Sequence, residues 1–252
     1  MAKISAVLIA QNEADRIGVA LASLAFCDER LVVDGGSSDR TSEIAIAAGA
    51  RVISRPFDGF VAQKNYAVEQ ARHDIVLSLD CDEEVTPGLR DEIRTLASGD
   101  ALPSPGYRVP RVTHYLGREI RATDWYPDWQ LRLFDRRRGR FAGERVHESV
   151  VIDGPAGRLR GELIHRPYRS REEHLRRIDR YTTLWAEAAR ERGRRPRLFE
   201  GAAASAFAFF RNFVIKRGFI LGGVGFEISR LNARYVRMKF DKLGALSRAV
   251  AP

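Results

Sequence analysis

The run Leu77-Ser-Leu-Asp-Cys-Asp-Glu-Glu84 ends an apolar stretch, Ile75 to Leu79, with two carboxylates one residue apart. In an extended chain residues i and i+2 point the same way, so Asp80 and Asp82 can converge on one hard cation. A divalent ion held by two carboxylates keeps open positions for other oxygens and can offset the charge that builds on a departing diphosphate. The competing role for such a pair is a turn that caps the next helix. A second acidic end lies upstream, in Leu31-Val-Val-Asp-Gly-Gly-Ser-Ser-Asp-Arg-Thr41. There Asp34 can accept hydrogen bonds from a base or ribose, and Gly35-Gly36, lacking a Cβ, lets a ligand approach the backbone closely. Ser38 and Asp39 read as a turn and N-cap for a helix starting near Thr41.

Both motifs need strands to carry them. Apolar runs at Ile4 to Ala10, Arg30 to Asp34, Arg51 to Ser54 and Ile75 to Leu79 read as strands, and Ala14 to Ala25, Thr41 to Ala48 and Val61 to Arg72 read as helices. This βαβ order implies right-handed crossovers and a mostly parallel sheet, whose ligands gather at the carboxyl ends of the strands. Thr86-Pro87 can cap and begin a helix to about Ala97, after which residues 98–106 break the pattern. Further strand candidates are Tyr107 to Val112, Gln130 to Phe134, Ser149 to Ile152 and Glu162 to His165. From Ser170 the period becomes helical: Ser170-Arg-Glu-Glu173 has capping-box spacing, and the helix runs to about Arg192. Gly193-Arg-Arg-Pro-Arg197 ends it. A phenylalanine-rich stretch from Leu198 to Ile215 follows, then an apolar break at Gly218 to Gly225 and a last helix from about Phe226 to Leu243.

With 252 residues, 44% hydrophobic and 30% charged, the chain can bury a sizeable core and is not a disordered polymer. We expect one catalytic domain with a helical appendage. Cys27 and Cys81 lie far apart and make no metal-ligand pattern, which fits a reducing cytosol. The apolar Ile4 to Ala10 runs straight into Gln11-Asn-Glu13, so it reads as a first strand and not a leader. No window has the roughly 20 uncharged residues of a spanning helix, which points to a soluble or peripheral protein. The net charge of +9 is uneven: residues 1–159 carry −3 and residues 160–252 carry +12. Such a basic segment suits an anionic membrane surface or nucleic acid, or is simply a solvated helical face.

These residues resemble glycosyltransferase family 2, whose members have the GT-A fold. The likeness rests on Ser5-Ala-Val-Leu-Ile-Ala-Gln-Asn-Glu13, Val33-Asp-Gly-Gly-Ser-Ser-Asp-Arg-Thr41, Gln63-Lys-Asn65 and Leu79-Asp-Cys-Asp-Glu83, and spans roughly residues 3–165. It implies an α/β, Rossmann-like GT-A domain over residues 1–168, its mostly parallel sheet flanked by helices, and a basic amphipathic helical extension over 169–252. It further implies inverting transfer from a nucleotide sugar. The nucleoside would lie near Ala10, Glu13 and Asp34, the donor pocket would be lined by Gln63, Lys64, Asn65 and Asp80, and Mg²⁺ or Mn²⁺ would sit on Asp80 and Asp82. Cys81 departs from the small residue usual between the two aspartates.

An inverting transferase needs a base for the acceptor hydroxyl, a role that typically contributes about 10² to 10⁴ in rate. The candidate is Glu148 in Gly143-Glu-Arg-Val-His-Glu148, which resembles a Val-His-Glu segment in a bacterial branch that includes lipopolysaccharide-core glucosyltransferases. Glu144 and Asp128 are weaker candidates. His147 is read as a metal ligand, a diphosphate contact, an orienting group or a purely structural residue. The stretch Asp124 to Phe134 resembles the same branch: Trp125 and Trp129 can stack on sugar rings, Gln130 and Arg132 can fix acceptor hydroxyls or phosphates, and Leu131, Leu133 and Phe134 read as core. Arg136 to Arg140 reads as an exposed basic turn. Phe207 to Leu221, with Arg211, Lys216 and Arg217, has the amphipathic chemistry of helices at a membrane surface, or caps the catalytic domain.

The resemblance favours UDP-glucose as donor and a lipid-linked or lipopolysaccharide-core envelope glycan as acceptor, with the protein in the cytoplasm or peripheral on the inner face of the cytoplasmic membrane. Two other readings are weighed. A nucleotidyltransferase acting on a sugar phosphate would carry a Gly-rich basic loop where this chain has Gln11-Asn-Glu-Ala-Asp-Arg16. A nucleic-acid-binding protein would show a helix-turn-helix, zinc or aromatic-sheet signature, and none is legible.

Overall fold

The computed structural model describes residues 1–143 and 148–248. The chain divides into two compact units, Met1–Val112 with Asp128–His165, and Thr113–Pro127 with Arg166–Pro252. The division at residue 168 read from the sequence left Thr113–Pro127 with the sheet, whereas its contacts group it with the C-terminal helices.

The elements follow in the order β1 (Ile4–Ala10), α1 (Ile17–Ser23), β2 (Glu29–Asp34), α2 (Thr41–Ala47), β3 (Arg51–Ser54), α3 (Phe60–Glu69), β4 (Ile75–Ser78), β5 (Glu83–Val85) and α4 (Pro87–Leu96). Then come β6 (Gly106–Tyr115), β7 (Arg118–Ile120), β8 (Asp128–Asp135), β9 (Gly139–Ala142), β10 (Ser149–Ile152), β11 (Gly157–Arg158) and β12 (Leu163–His165). The chain closes with α5 (Arg171–Glu191), α6 (Glu200–Phe210) and α7 (Gly222–Arg248).

In the first unit the sheet runs β3-β2-β1-β4-β8-β6-β12-β5. β1 sits between β2 and β4, parallel to both, with Ala10 beside Asp34 and Val7 beside Ser78. A strand covered on both faces needs a continuous apolar run, and β1 has one. Its Ile4, Ala6, Leu8 and Ala10 pack with Leu21 of α1 and with Leu89 and Ile93 of α4. Val7 faces the other way, into a cluster with Leu31, Val33, Val76 and the α3 residues Ala67 and Val68. Beyond β4 the pairing turns antiparallel, β4 with β8 and β8 with β6. The two-residue β11 is an exception, running parallel to β6 with Gly157 beside Tyr107.

α4 starts as its sequence demands. The Thr86 hydroxyl accepts a hydrogen bond from Leu89 N at 3.3 Å, and Pro87 opens the helix. Gly161 lets the chain before β12 cross this helix closely, since a Cβ there would stand 2.3 Å from Leu89 Cα.

In the second unit the end of β6 pairs with β7, Thr113 opposite Ile120. α5 is capped by Ser170, whose hydroxyl accepts from Glu173 N at 3.2 Å, while Glu173 reaches back to Arg169 N at 2.7 Å. Tyr115, Ile120, Ile178, Ile228 and Leu231 form its main core. α7 begins four residues before the expected Phe226 because Gly225 is a packing residue and not a break: a Cβ there would lie 1.8 Å from the Gly218 carbonyl oxygen. Phe207, Phe210, Val214, Ile215, Phe219, Ile220 and Phe226 remain exposed on this unit. Among the described residues no helix is long and apolar enough to cross a membrane.

Candidate active site

Asp34 and Asp80 leave the sheet at the same edge, on either side of β1. Leu79 N still donates to Val7 O at 3.1 Å, so the chain turns away from the sheet at Asp80. Cys81 points inward, its thiol 3.4 Å from Ile9 O. Burial and the carboxylates of Glu13, Asp80 and Asp82 push that thiol well up, which keeps it protonated and unreactive.

Asp80 lies in a run of alternating charges contributed by α3, β5, β6, β8 and Glu148, the residue before β10. Asp128 accepts from Arg111 at 2.6 Å, Arg111 reaches Glu83 at 2.8 Å, and Glu83 is also bound by Arg132. Arg132 donates to Asp80 Oδ2 at 2.6 Å, Lys64 Nζ lies 3.0 Å from Asp80 Oδ1, and the same ammonium lies 3.1 Å from Glu148 Oε1. Burial alone would raise the Asp80 carboxyl, but Arg132 and Lys64 outweigh it and hold Asp80 well below the usual carboxylate range. Lys64 shows the counterpart: burial works against its charge, and Asp80 leads the groups that raise it nonetheless.

Asp82 has a different environment. Its Oδ2 lies 3.5 Å from His165 Nε2 at the end of β12 and 3.7 Å from Arg16. Burial again opposes ionisation, and the contact with His165 lowers the carboxyl below its ordinary value. His165 was not singled out from the sequence. The only trace there is that Glu162 to His165 reads as a strand, and nothing in the local pattern says that this strand ends beside Asp82.

The remaining candidates sort by what their side chains touch. Asp34 accepts from Ser37 N and from the hydroxyls of Ser37 and Ser42, at 3.1, 2.5 and 2.8 Å, and Ala10 O accepts from Gly35 N at 2.8 Å. Glu13 is placed by its backbone N–H, which donates to Thr41 Oγ1 at 2.8 Å. Asp39 accepts from Ala14 N and Thr41 N in the turn before α2, but the N-cap position falls on Arg40 and has no side-chain cap, so the N-cap role expected of Ser38 and Asp39 is not filled. Of Gln63-Lys-Asn65, only Lys64 is shown reaching the carboxylates. Gln63 is bound to Arg55, and Asn65 exchanges two hydrogen bonds with the Phe141 backbone at 2.8 and 2.9 Å.

Arg132 corrects an expectation. It is 4% exposed and spent on Asp80 and Glu83, so it braces the metal-motif aspartate and does not reach out to acceptor hydroxyls or phosphates. Asp128 is paired with Arg111 at the far end of this run from Lys64, and Gln130 donates to it at 2.6 Å. Trp129 lies under the Arg158 guanidinium, 5.2 Å from its ring centre. Trp125 belongs to the second unit, in an aromatic cluster with Tyr115, Tyr168 and His174. Glu144 and His147 lie outside the described residues.

A family model described as Glycosyl transferase family 2 matches residues 5–151, more than half of the chain. The chain belongs to glycosyl transferase family 2. It is a glycosyltransferase with a GT-A-type sheet flanked by helices and a long C-terminal helix. Over 95% of its length it is 30% identical to the lipopolysaccharide core biosynthesis glycosyltransferase LpsC of Rhizobium meliloti, 91% of which is covered. Over 99% it is 31% identical to an uncharacterized glycosyltransferase of Rickettsia typhi, 90% of which is covered. Glucosyl-3-phosphoglycerate synthase from Mycobacterium tuberculosis, solved with Mn²⁺ and UDP, aligns with 46% of this chain and 45% of that one at 28% identity and a TM-score of 0.33.

The carboxylates of this glycosyltransferase suit a hard divalent cation supplied with its substrate. Among the described residues no three His, Cys, Asp or Glu side chains gather into a cage. Asp80 and Asp82 are both held ionised, and a Mg²⁺-like ion is commonly bound by one or two carboxylates together with substrate phosphates and water. Asp80 is engaged by Lys64 and Arg132, whereas Asp82 meets His165 and Arg16 at 3.5 and 3.7 Å.

Proposed function

We propose that this glycosyltransferase is a metal-dependent, inverting enzyme that moves glucose from UDP-glucose to a bacterial envelope glycan such as the lipopolysaccharide inner core. The observation that carries the mechanism is that one ammonium, Lys64 Nζ, touches both Asp80 and Glu148. It ties the candidate base to the donor carboxylates within a single constellation. The acceptor class rests on the similarity to LpsC across nearly the whole chain.

In this reading Asp34, oriented by Ser37 and Ser42, receives the nucleoside, and Asp80 and Asp82 would hold a divalent cation, which when bound would supply positive charge to offset that of the diphosphate. Glu148 accepts the acceptor's hydroxyl proton as that oxygen attacks the anomeric carbon and the bond to the diphosphate breaks. Lys64 fixes the carboxylate for that transfer. Attack from the side opposite the leaving group inverts the anomeric centre.

The same reading places the enzyme at the inner face of the cytoplasmic membrane, on a lipid-linked acceptor. Its support is the cluster of exposed apolar residues from Phe207 to Phe226, with Arg211, Lys216 and Arg217 among them. Apolar insertion plus basic attraction is the chemistry of an interfacial helix. Flotation with anionic and neutral liposomes at low and high salt tests it, and absence of salt-sensitive binding would remove the membrane part.

The donor is tested by thermal shift with a panel of nucleotide sugars, with and without Mn²⁺, because a ligand that binds only the folded chain raises its melting temperature. UDP-glucose should give the largest shift, and only with the metal. A larger shift from another nucleotide sugar would replace UDP-glucose as donor, and no metal-dependent shift from any of them would sink the reading.

A further inference from the structure

The second unit contains a pocket of about 190 Å³ lined by the buried His174 and Ile178 and by Trp125, Tyr168, Arg177, Tyr181, Asn232 and Tyr235. Its aromatic walls are built and not incidental. Tyr168 stacks on His174 with ring centres 4.0 Å apart, Trp125 tilts against both, and Tyr115 braces the three edge-on while its hydroxyl lies 3.2 Å from His174 Nδ1. Tyr181, at the mouth, is 40% exposed.

The chemistry of these walls selects a ligand class. Aromatic faces carrying hydroxyl tips suit a ligand that is apolar on one side and hydrogen-bonding at its edges. An acyl chain would strip water from Arg177, Asn232 and the tyrosine hydroxyls without returning hydrogen bonds. A cationic headgroup meets Arg177, which already lies over the Tyr168 ring at 5.4 Å. A strongly anionic ligand is not called for, because Arg177 is paired with Glu173 at 3.1 Å and burial leads in holding His174 down at about 4, hence neutral. Asn232 donates its amide N–H to Asn212 Oδ1 at 2.9 Å, which leaves its own carbonyl oxygen as an acceptor. Pockets for drug-sized ligands span about 300 to 1,000 Å³, so this smaller one suits a single ring and not a nucleotide sugar.

We propose that the helical unit carries a saccharide pocket, lined by Trp125, Tyr168, Arg177, Tyr181, Asn232 and Tyr235, that takes one neutral sugar ring of the acceptor. This deepens the reading of the acceptor as a glycan and rests on it. The ring's apolar face lies on Trp125, since His174 and Arg177 already cover the Tyr168 ring; its hydroxyls donate to Asn232 and accept from Arg177, and Tyr181 closes the mouth.

Saturation-transfer NMR on the full chain, with methyl β-glucoside, methyl β-galactoside and glucuronate as probes, tests this. At least one neutral glycoside should bind saturably in the millimolar range, and Tyr181→Ala and Arg177→Gln should each weaken it about tenfold while melting like the wild type. No neutral glycoside bound, preference for glucuronate alone, or unchanged affinity in both variants overturns the pocket. Donor hydrolysis by the same wild-type sample reports separately on the transfer reading. Hydrolysis without glycoside binding rejects the pocket alone, whereas glycoside binding without hydrolysis of any nucleotide sugar supports the pocket and rejects the donor assignment.

Discussion

Lys64 Nζ lies 3.1 Å from Glu148 Oε1, joining the middle of α3 to a residue 84 positions later in the chain. The same ammonium is 3.0 Å from Asp80, so the candidate base and the candidate metal motif share one counter-ion. Glu148→Gln keeps the shape of this contact, replacing the ion pair by a hydrogen bond to a neutral amide that cannot take a proton. We expect donor affinity within about twofold of wild type and transfer slowed by about 10² to 10⁴, the usual worth of a positioned base. Calorimetric titration of the donor alongside single-turnover transfer separates the two. Near-normal transfer by this variant would mean that another group serves as the base.

Asp82 and His165 predict a different signature, in the metal and not in the proton. The imidazole is 3.5 Å from Asp82 Oδ2, as expected of an outer group that orients a ligand carboxylate. Loss of such partners typically lowers metal affinity about 10- to 100-fold. Mn²⁺ titrations followed by electron paramagnetic resonance, with UDP present, should show that loss for His165→Ala and near-complete loss for Asp82→Ala. Wild-type Mn²⁺ affinity in Asp82→Ala would disqualify this carboxylate as the ligand.

What the sequence made legible follows from where the information lies. β1 to β4 and their helices are written locally, as apolar runs separated by periodic helices, and β1 and β3 occur at the residues read for them. Asp80, Asp82 and Asp34 were legible because each ends such a run. The ion-pair run was not, because Lys64, Glu83, Arg111, Arg132 and Glu148 come together only when β8 and β6 enter the sheet antiparallel. The same pairing turned Arg132 from an expected acceptor contact into a brace for Asp80. The expected break at Gly218 to Gly225 misled for a related reason: its second half, Gly222 to Gly225, is helical where Gly225 meets the Gly218 carbonyl.

Arg132 should therefore matter more to folding than to specificity. Breaking a buried ion pair by deleting one partner commonly costs about 3 to 5 kcal/mol, since the other charge is left without compensation. Here Asp80 keeps Lys64 and Glu83 keeps Arg111, so Arg132→Met belongs at the lower end, about 3 kcal/mol. Arg132→Lys should recover little, because one guanidinium nitrogen now serves both carboxylates and a lysine reaches from a different geometry. Urea midpoints with unchanged slope measure both variants. A midpoint for Arg132→Met equal to wild type would show that the site tolerates the loss.

His174 gives the helical unit a pH dependence of its own. Burial, aided by the Arg177 charge, lowers its pKa from 6.5 to about 4. Between those values the unfolded chain binds a proton that the folded chain refuses, so stability rises with pH across the window. The contribution is fully present above pH 6.5 and is lost progressively as pH falls toward 4. Asp80 and Asp82, depressed in the fold, lose theirs only below their ordinary value of 3.8, which separates the two effects. His174→Phe retains a ring against Tyr168 but cannot titrate, so its urea midpoint should change much less than the wild type's between pH 6.5 and 4.5. It should also sit slightly lower at neutral pH, because the Tyr115 hydroxyl loses its 3.2 Å partner. Parallel pH curves for the two proteins would assign the dependence to other groups.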